Sequence, residues 1–92
     1  MNKRMRDAIN DSLNAGRYYF TKDTMKFWGS KVEAGMYGND TFVTSENNYD
    51  GSKRLYSARH YDWENHEVNT IGEFQQFESL EDAIEFAIKY LP

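Results

Sequence analysis

Cysteine is absent from the 92-residue sequence. This absence excludes a disulfide framework, a thiolate zinc site, an iron–sulfur cluster and a cysteine nucleophile. Proline occurs once, at Pro92, and no internal repeat or stretch rich in proline, glycine or serine divides the chain. A chain of this length supports only one hydrophobic core. We therefore predict a single domain over residues 1–92.

Long apolar runs are also missing, since the longest hold three residues, as in residues 18–20. A membrane-spanning helix needs roughly 20 apolar residues. The basic residues Lys3, Arg4 and Arg6 are not followed by the apolar segment of a secretion signal. We expect a cytosolic protein that does not contact a membrane.

The net charge of −4 is unevenly distributed along the chain. Residues 1–31 hold seven Lys and Arg against three Asp, whereas residues 32–92 hold four against twelve Asp and Glu. Nucleic-acid binding by the acidic part is disfavoured, because phosphate contacts need clustered cations. The acidic part of the chain suits binding to a protein partner with a basic surface. The alternative is that its acidic surface only keeps the protein in solution.

Aromatic residues, which make up 16% of the chain, provide apolar area for a small core. Periodicity and turn residues predict short helices over residues 2–15 and 21–29. They also predict extended segments over residues 30–36, 41–46, 53–63, 66–70 and 72–77. In the first of these segments we expect Val32, Ala34 and Met36 to share one face. The segments indicate an antiparallel meander of three or four strands.

The clearest predicted element is an amphipathic helix over residues 79–91. Its apolar positions form one stripe: Leu80, Ala83, Ile84, Ala87, Ile88 and Leu91. Ser79, followed by Asp82 three residues later, resembles a capping box. We predict an α+β fold in which this helix covers one face of the sheet, with one or two short helices at the N-terminus.

The strand over residues 53–63 combines arginine with aromatic residues. Alternation sends Arg54 and Tyr56 to one face, and Arg59, Tyr61 and Trp63 to the other. Arginine beside tyrosine and tryptophan is typical of protein interfaces, so we interpret these five residues as partner-binding. The alternative is that the aromatic rings cover the core while Arg59 reaches outward or pairs with a carboxylate across the strand.

A second candidate binding surface is the outer side of the last helix. Glu81, Asp82 and Glu85, with Glu78 just before the helix, can present a row of carboxylates that imitates phosphates. We include Glu81, Asp82 and Glu85 among the partner-binding residues. The alternative is an ordinary solvated helix face.

Few residues are candidates for metal binding, catalysis or phosphate binding. His60, Asp62, Glu64 and His66 have the composition of a metal site, but they equally suit a strand end and its turn. Serines such as Ser45 and Ser57 are not in a nucleophile elbow, and the glycines form no phosphate-binding loop. We expect no metal, no cofactor and no enzymatic activity.

Four ordered blocks of sequence resemble a family of small proteins of bacteriophages and other mobile elements. They are YFTKDTMKFWGSKV (19–32), TFVTSE (41–46), DGSKRLYSARHYD (50–62) and IGEFQQF (71–77). The resemblance implies no catalytic residues. Because such proteins include inhibitors of host defence, it implies a stoichiometric inhibitor of a CRISPR-Cas effector, that is, an anti-CRISPR protein.

Two other hypotheses remain open at this point. One is a nucleic-acid-binding regulator that uses Lys3, Arg4 and Arg6 together with the Arg–aromatic strand, whose affinity would fall steeply with salt. The other is a structural or chaperone-like phage protein that assembles with itself. The residues do not decide whether the chain self-associates.

Overall fold

The computed structural model describes residues 29–65 and 67–91, together with Lys3 and Asp7. The two predicted N-terminal helices lie outside the described residues, except at Lys3, Asp7 and Gly29. The described elements are β1 (Lys31–Gly35), β2 (Thr41–Asn47), β3 (Arg54–Asp62), β4 (Glu67–Ile71) and α1 (Leu80–Lys89).

The strands form one antiparallel sheet in the order β1-β2-β3-β4, which confirms the predicted meander. In the central pair, Phe42 lies opposite Arg59 and Val43 lies opposite Ala58. Successive side chains of a strand point to opposite faces. This register therefore separates a face that carries Val43 and Ala58 from a face that carries Phe42 and Arg59.

Strand β1 contains a bulge, because its register shifts between Val32 and Ala34. Val32 pairs with Thr44, whereas Ala34 pairs with Val43, so the two side chains lie on opposite faces of the sheet. The expectation that Val32 and Ala34 share a face is therefore wrong. Glu33, the extra residue of the bulge, accepts a hydrogen bond of 2.6 Å from the Ser45 hydroxyl.

The predicted extended segment over residues 72–77 is largely a turn. Gly72 and Gln75 have φ angles of 72° and 59°, in the left-handed region that a strand does not use. Only Phe77 returns to the sheet, where its carbonyl accepts a bond of 2.8 Å from the Tyr56 N–H. This part of the prediction is wrong because the backbone N–H of Gln75 donates to the side-chain hydroxyl of Ser57 rather than to a backbone carbonyl of the sheet.

Helix α1 covers one face of the sheet, as predicted. Its amino end is capped by the Ser79 hydroxyl, which accepts a hydrogen bond from the Asp82 N–H. The small side chains of Ala83 and Ala87 are fully buried, which allows the helix to approach the sheet closely. They complete the core cluster with three residues of the sheet: Val43, Ala58 and Ile71.

The carboxyl end of α1 is held from the turn between β1 and β2. The side-chain amide of Asn39 lies within donor distance of the carbonyl oxygens of Ala87, Ile88 and Tyr90, at 2.7, 3.1 and 2.8 Å. The Thr41 hydroxyl adds a contact of 2.7 Å to the Ala87 carbonyl. Carbonyl oxygens at the end of α1 are thus contacted by side chains from a distant part of the chain.

Candidate functional site

Strand β3 divides the predicted Arg–aromatic surface between the two faces of the sheet. Tyr56 packs against the core cluster beneath α1, on the same face as Arg54. Arg59 and Tyr61 lie on the opposite face, and Trp63 follows the end of the strand. The five residues therefore do not form one continuous binding surface.

Arg59 is buried in an ion pair with Glu46 of the neighbouring strand. Its Nη2 donates to Glu46 Oε1 at 2.6 Å, and the two side chains are 5% and 1% exposed. Nε donates to Thr44 Oγ1 at 2.9 Å, and Nη1 donates to Thr70 Oγ1. The expectation that Arg59 faces a partner is corrected, because a carboxylate across the strand binds its guanidinium inside the protein.

We call the side of the sheet that carries Arg59 the polar face. Its buried hydrogen-bonding residues are Thr44, Glu46, Ser57 and Arg59. The turn after β4 extends the network, since the Gln75 N–H donates to Ser57 Oγ at 2.7 Å. The Ser57 hydroxyl in turn donates to Glu46 Oε2 at 3.3 Å. Because Ser57 exposes 0% of its surface, its hydroxyl belongs to this internal network rather than to a substrate site.

The same turn packs an aromatic ring on the ion pair. The Arg59 guanidinium carbon lies 5.3 Å from the centre of the Phe74 ring, within the range of a cation–π contact. Gln75 Nε2 donates to the carbonyl oxygen of Asn47 at 2.8 Å, which ties the turn to the end of β2. The polar face is therefore organised by residues far apart in the sequence.

Tyr61 is also in the interior. It is 1% exposed, and its ring meets the edge of the Trp63 ring at a centroid distance of 4.6 Å. An aromatic pair of this geometry contributes about 0.5–1.5 kcal/mol beyond simple burial. The expectation that Tyr61 contacts a partner is corrected, because its ring is buried and packs inside the protein.

Arg54 is half-buried, and its guanidinium is occupied by acceptors of the same chain. Nη2 donates to the carbonyl oxygens of Gly29 and Ser45, at 2.6 and 2.8 Å. Nη1 donates to Asn47 Oδ1 at 2.9 Å, and Nε donates to Ser45 Oγ at 3.0 Å. Arg54 thus links three segments of the fold.

The predicted carboxylate row remains at the surface. We define the acidic helix face by its four residues: Glu78, Glu81, Asp82 and Glu85. All four are exposed, and the last three lie in α1. Hydrogen bonding and charge from Lys53, at 2.7 Å, lower the pKa of Glu78. Lys89, one helical turn away, lowers the pKa of Glu85 in the same manner.

A shallow groove of about 190 Å³ borders this face. The aromatic part of its lining consists of Phe77 and Phe86, whose ring centres are 5.2 Å apart. Asp82, Glu85 and Lys89 form the charged part of its lining. Apolar area beside several carboxylates is a combination suited to binding rather than to proton transfer, since these side chains are exposed to water.

The predicted metal-type residues do not converge in the described part of the chain. The Asp62 carboxylate accepts from the side chain and the backbone of Asn65 and from the Glu64 N–H, which together lower its pKa. The His60 ring lies 5.6 Å from the Tyr90 ring. His66 is outside the described residues, and within those described no three His, Asp or Glu side chains form a metal-binding group.

Sequence reasoning did not identify three residues that organise the fold. From the sequence, Asn39 lies between two predicted strands and Gln75 lies within the extended segment predicted over residues 72–77. Glu46 was not named as the partner of Arg59, although a cross-strand carboxylate was among the alternatives. Alternation along β2 places Glu46 on the face of Arg59 and so offers a local signal. The contacts of Asn39 with α1 and of Gln75 with β2 and β3 span 18 residues or more and leave no such signal.

Within the part of the chain that the structure describes, none of the helices has the length and apolar character needed to cross a membrane.

Comparison with known protein families finds a match over most of the chain. The model of a family of unknown function, DUF7447, matches residues 4–88. No curated protein and no solved structure matches the chain.

Proposed function

This chain belongs to the DUF7447 family, and we propose that it is a non-catalytic binding protein that docks its acidic helix face on a positively charged surface of a macromolecular partner. The observation that carries the proposal is the exposure of all four carboxylates of this face, three of them on the outer side of a helix whose inner side packs on the sheet. Complementary charge guides such encounters and selects among partners.

The charge balance of this face supports the proposal. Two of the four carboxylates are paired with Lys53 and Lys89, so two carboxylate charges remain in excess. Exposed ion pairs contribute little to folding and exchange partners readily. Lysine or arginine of a partner can therefore contact these carboxylates without disrupting the interior of the protein.

The partner class comes from the family resemblance of the sequence. Inhibitors of host defence act on nuclease complexes, whose nucleic-acid channels are rich in lysine and arginine. A helix that presents carboxylates where nucleic acid presents phosphates can occupy such a channel. The proposed activity is thus stoichiometric inhibition of a CRISPR effector by occlusion of a basic surface.

The proposal is tested by a pull-down of purified, guide-loaded CRISPR effector complexes with the tagged full chain, with and without nuclease treatment. We expect one effector subunit to be retained after nuclease treatment and at moderate salt. The variant Glu81→Gln/Glu85→Gln should reduce retention. The matched variant Glu64→Gln/Glu73→Gln, which changes the net charge equally at exposed positions elsewhere, should not.

The nucleic-acid alternative predicts a different result. Binding to short DNA or RNA that falls steeply with salt, and no effector subunit after nuclease treatment, would replace the inhibitor proposal with that alternative. The burial of Arg59 and Tyr61 removes two of the residues on which it depended from the protein surface. Equal retention of the two double variants would contradict a role for the acidic helix face.

A further inference from the structure

Two apolar side chains remain exposed at the carboxyl end of α1. Ile88 is 54% exposed and Leu91 is 88% exposed. Ile88 lies one helical turn after the half-buried Ile84, and Leu91 follows Tyr90, the C-cap of the helix. Single exposed apolar residues are common on protein surfaces. What distinguishes this pair is the fixed backbone that carries it and the charge beside it.

The backbone at this end of the helix is held by tertiary contacts. The Asn39 amide contacts the carbonyl oxygens of Ile88 and Tyr90, at 3.1 and 2.8 Å, and the Tyr90 ring packs 5.6 Å from that of His60. The last turn of a helix otherwise has unpaired carbonyls. An apolar side chain on an ordered backbone loses less conformational entropy when it binds.

Carboxylates continue the same surface toward the amino end of the helix. At roughly 100° per residue, Glu81 lies nearly in line with Ile88 two turns earlier, and Glu85 precedes Ile88 by one turn. Both glutamates are exposed. Along the helix axis, the surface therefore changes from acidic to apolar.

We infer that Ile88 and Leu91 are the anchor residues of a docking surface for a protein partner whose groove is apolar at one end and lined by lysine and arginine along its length. The inference rests on the proposed function and specifies the chemistry of its partner. Recognition of one helix face by an apolar groove is a recurrent mode of protein binding.

The negative charge of this surface determines which kind of partner can bind it. The phosphates of a nucleic acid repel Glu81 and Glu85 and offer no pocket for Ile88 or Leu91. Anionic lipid headgroups repel the same carboxylates. A second copy of the chain, placed symmetrically on this face, presents the same excess of carboxylates and supplies no excess of lysine or arginine. A basic protein groove satisfies both the charged and the apolar halves of the surface.

The test measures the affinity of the full chain for purified, guide-loaded CRISPR effector complexes by biolayer interferometry. Leu91→Gln and Ile88→Gln are each expected to weaken binding roughly tenfold or more. Leu91 lies beyond the end of α1, so its substitution does not disturb the helix, and glutamine preserves helix propensity at position 88. The control is Tyr49→Gln, which removes a side chain that is 95% exposed in the β2–β3 loop.

The outcomes separate this inference from the proposed function. If Glu81→Gln/Glu85→Gln weakens binding but Leu91→Gln and Ile88→Gln bind like the unmodified chain, the apolar anchors are refuted and the proposed function stands. If the unmodified chain binds no effector, both are refuted. A dimer in sedimentation that Leu91→Gln dissociates would refute the inference in favour of a second copy.

Discussion

Arg59 donates a hydrogen bond of 2.6 Å to Glu46, and both side chains are buried. The two residues are not directly opposite each other, since Arg59 pairs with Phe42 and Glu46 pairs with Leu55. The guanidinium therefore reaches along the polar face, and its Nε contacts Thr44 on the way.

Removal of either charge alone should strongly destabilise the protein. Glu46→Ala or Arg59→Ala leaves an uncompensated buried charge, for which the expected cost is about 3–5 kcal/mol. The combined variant Glu46→Leu/Arg59→Met should retain much more stability, because neither charge remains. Urea denaturation followed by circular dichroism measures the differences. Single variants within about 1 kcal/mol of the unmodified chain would contradict a buried, ionised pair.

Asn39→Ala should loosen the carboxyl end of α1. The substitution removes the amide that contacts three carbonyl oxygens, and we expect a loss of about 1–3 kcal/mol. The amide hydrogens of the last helical turn should also exchange faster with solvent. Asn69→Ala, at an exposed position in β4, is the control and should change stability only slightly. Unchanged exchange in Asn39→Ala would argue against tertiary capping.

Gly35→Ala should be strongly destabilising. Gly35 has a φ of 114°, and a Cβ at this position would lie 2.6 Å from Cβ and 2.7 Å from Cα of Phe42. The backbone of β2 cannot move away without disturbing the sheet, so we expect a loss above about 2 kcal/mol. Gly38→Ala is the matched control, because a Cβ there meets nothing within 4 Å. If Gly35→Ala and Gly38→Ala had the same thermal unfolding midpoint, a steric clash at position 35 would be refuted.

Each lysine of the two exposed ion pairs should lower the pKa of its own glutamate and leave the pKa of the other glutamate unchanged. In Lys89→Ala, the pKa of Glu85 should rise toward its ordinary value of 4.5 while that of Glu78 stays lowered by Lys53. Lys53→Ala should produce the opposite pattern. Nuclear magnetic resonance titration of the side-chain carboxyl groups measures both values. A change in Glu85 alone in both variants would contradict the pairing.

The same pairs determine the sign of a small pH effect. Because the folded protein holds the pKa values of Glu78 and Glu85 below 4.5, their contribution to stability is present above that pH. It is lost as the pH falls through the lowered values, when both carboxylates are protonated. Below pH 4.5, Lys53→Ala/Lys89→Ala should therefore lose less stability on acidification than the unmodified chain.

The helix and the meander could be predicted because their signals are local. The apolar spacing from Leu80 to Ile88 and the Ser79 cap require only neighbours in sequence, and alternation with turn residues marked β2 and β3. The segment after β4 could not be predicted in this way. Its apolar residues Phe74 and Phe77 suggest a strand, but Phe74 packs on Arg59 and only Phe77 pairs with the sheet. Neither partner is close in sequence.

The candidate site was predicted in part for the same reason. Helical periodicity alone places Glu81, Asp82 and Glu85 on the outer side of α1, where the structure has them exposed. Arg59 and Tyr61 have the composition of an interface, and composition does not distinguish a surface from an interior. Arg59 is buried beside Glu46, which strand pairing brings to it. Tyr61 contacts Trp63 only two residues further along the chain, and this local contact does not tell whether that side of the sheet is covered.

The sequence by itself determined the α+β architecture, the helix that covers the sheet and the acidic outer face of that helix, because periodicity and charge spacing act within one element. Only the tertiary structure decided which arginines are internal, how the bulge at Glu33 divides β1 between two faces, and that Asn39 fixes the end of α1. These features depend on contacts between distant segments, whose geometry arises when the whole chain packs.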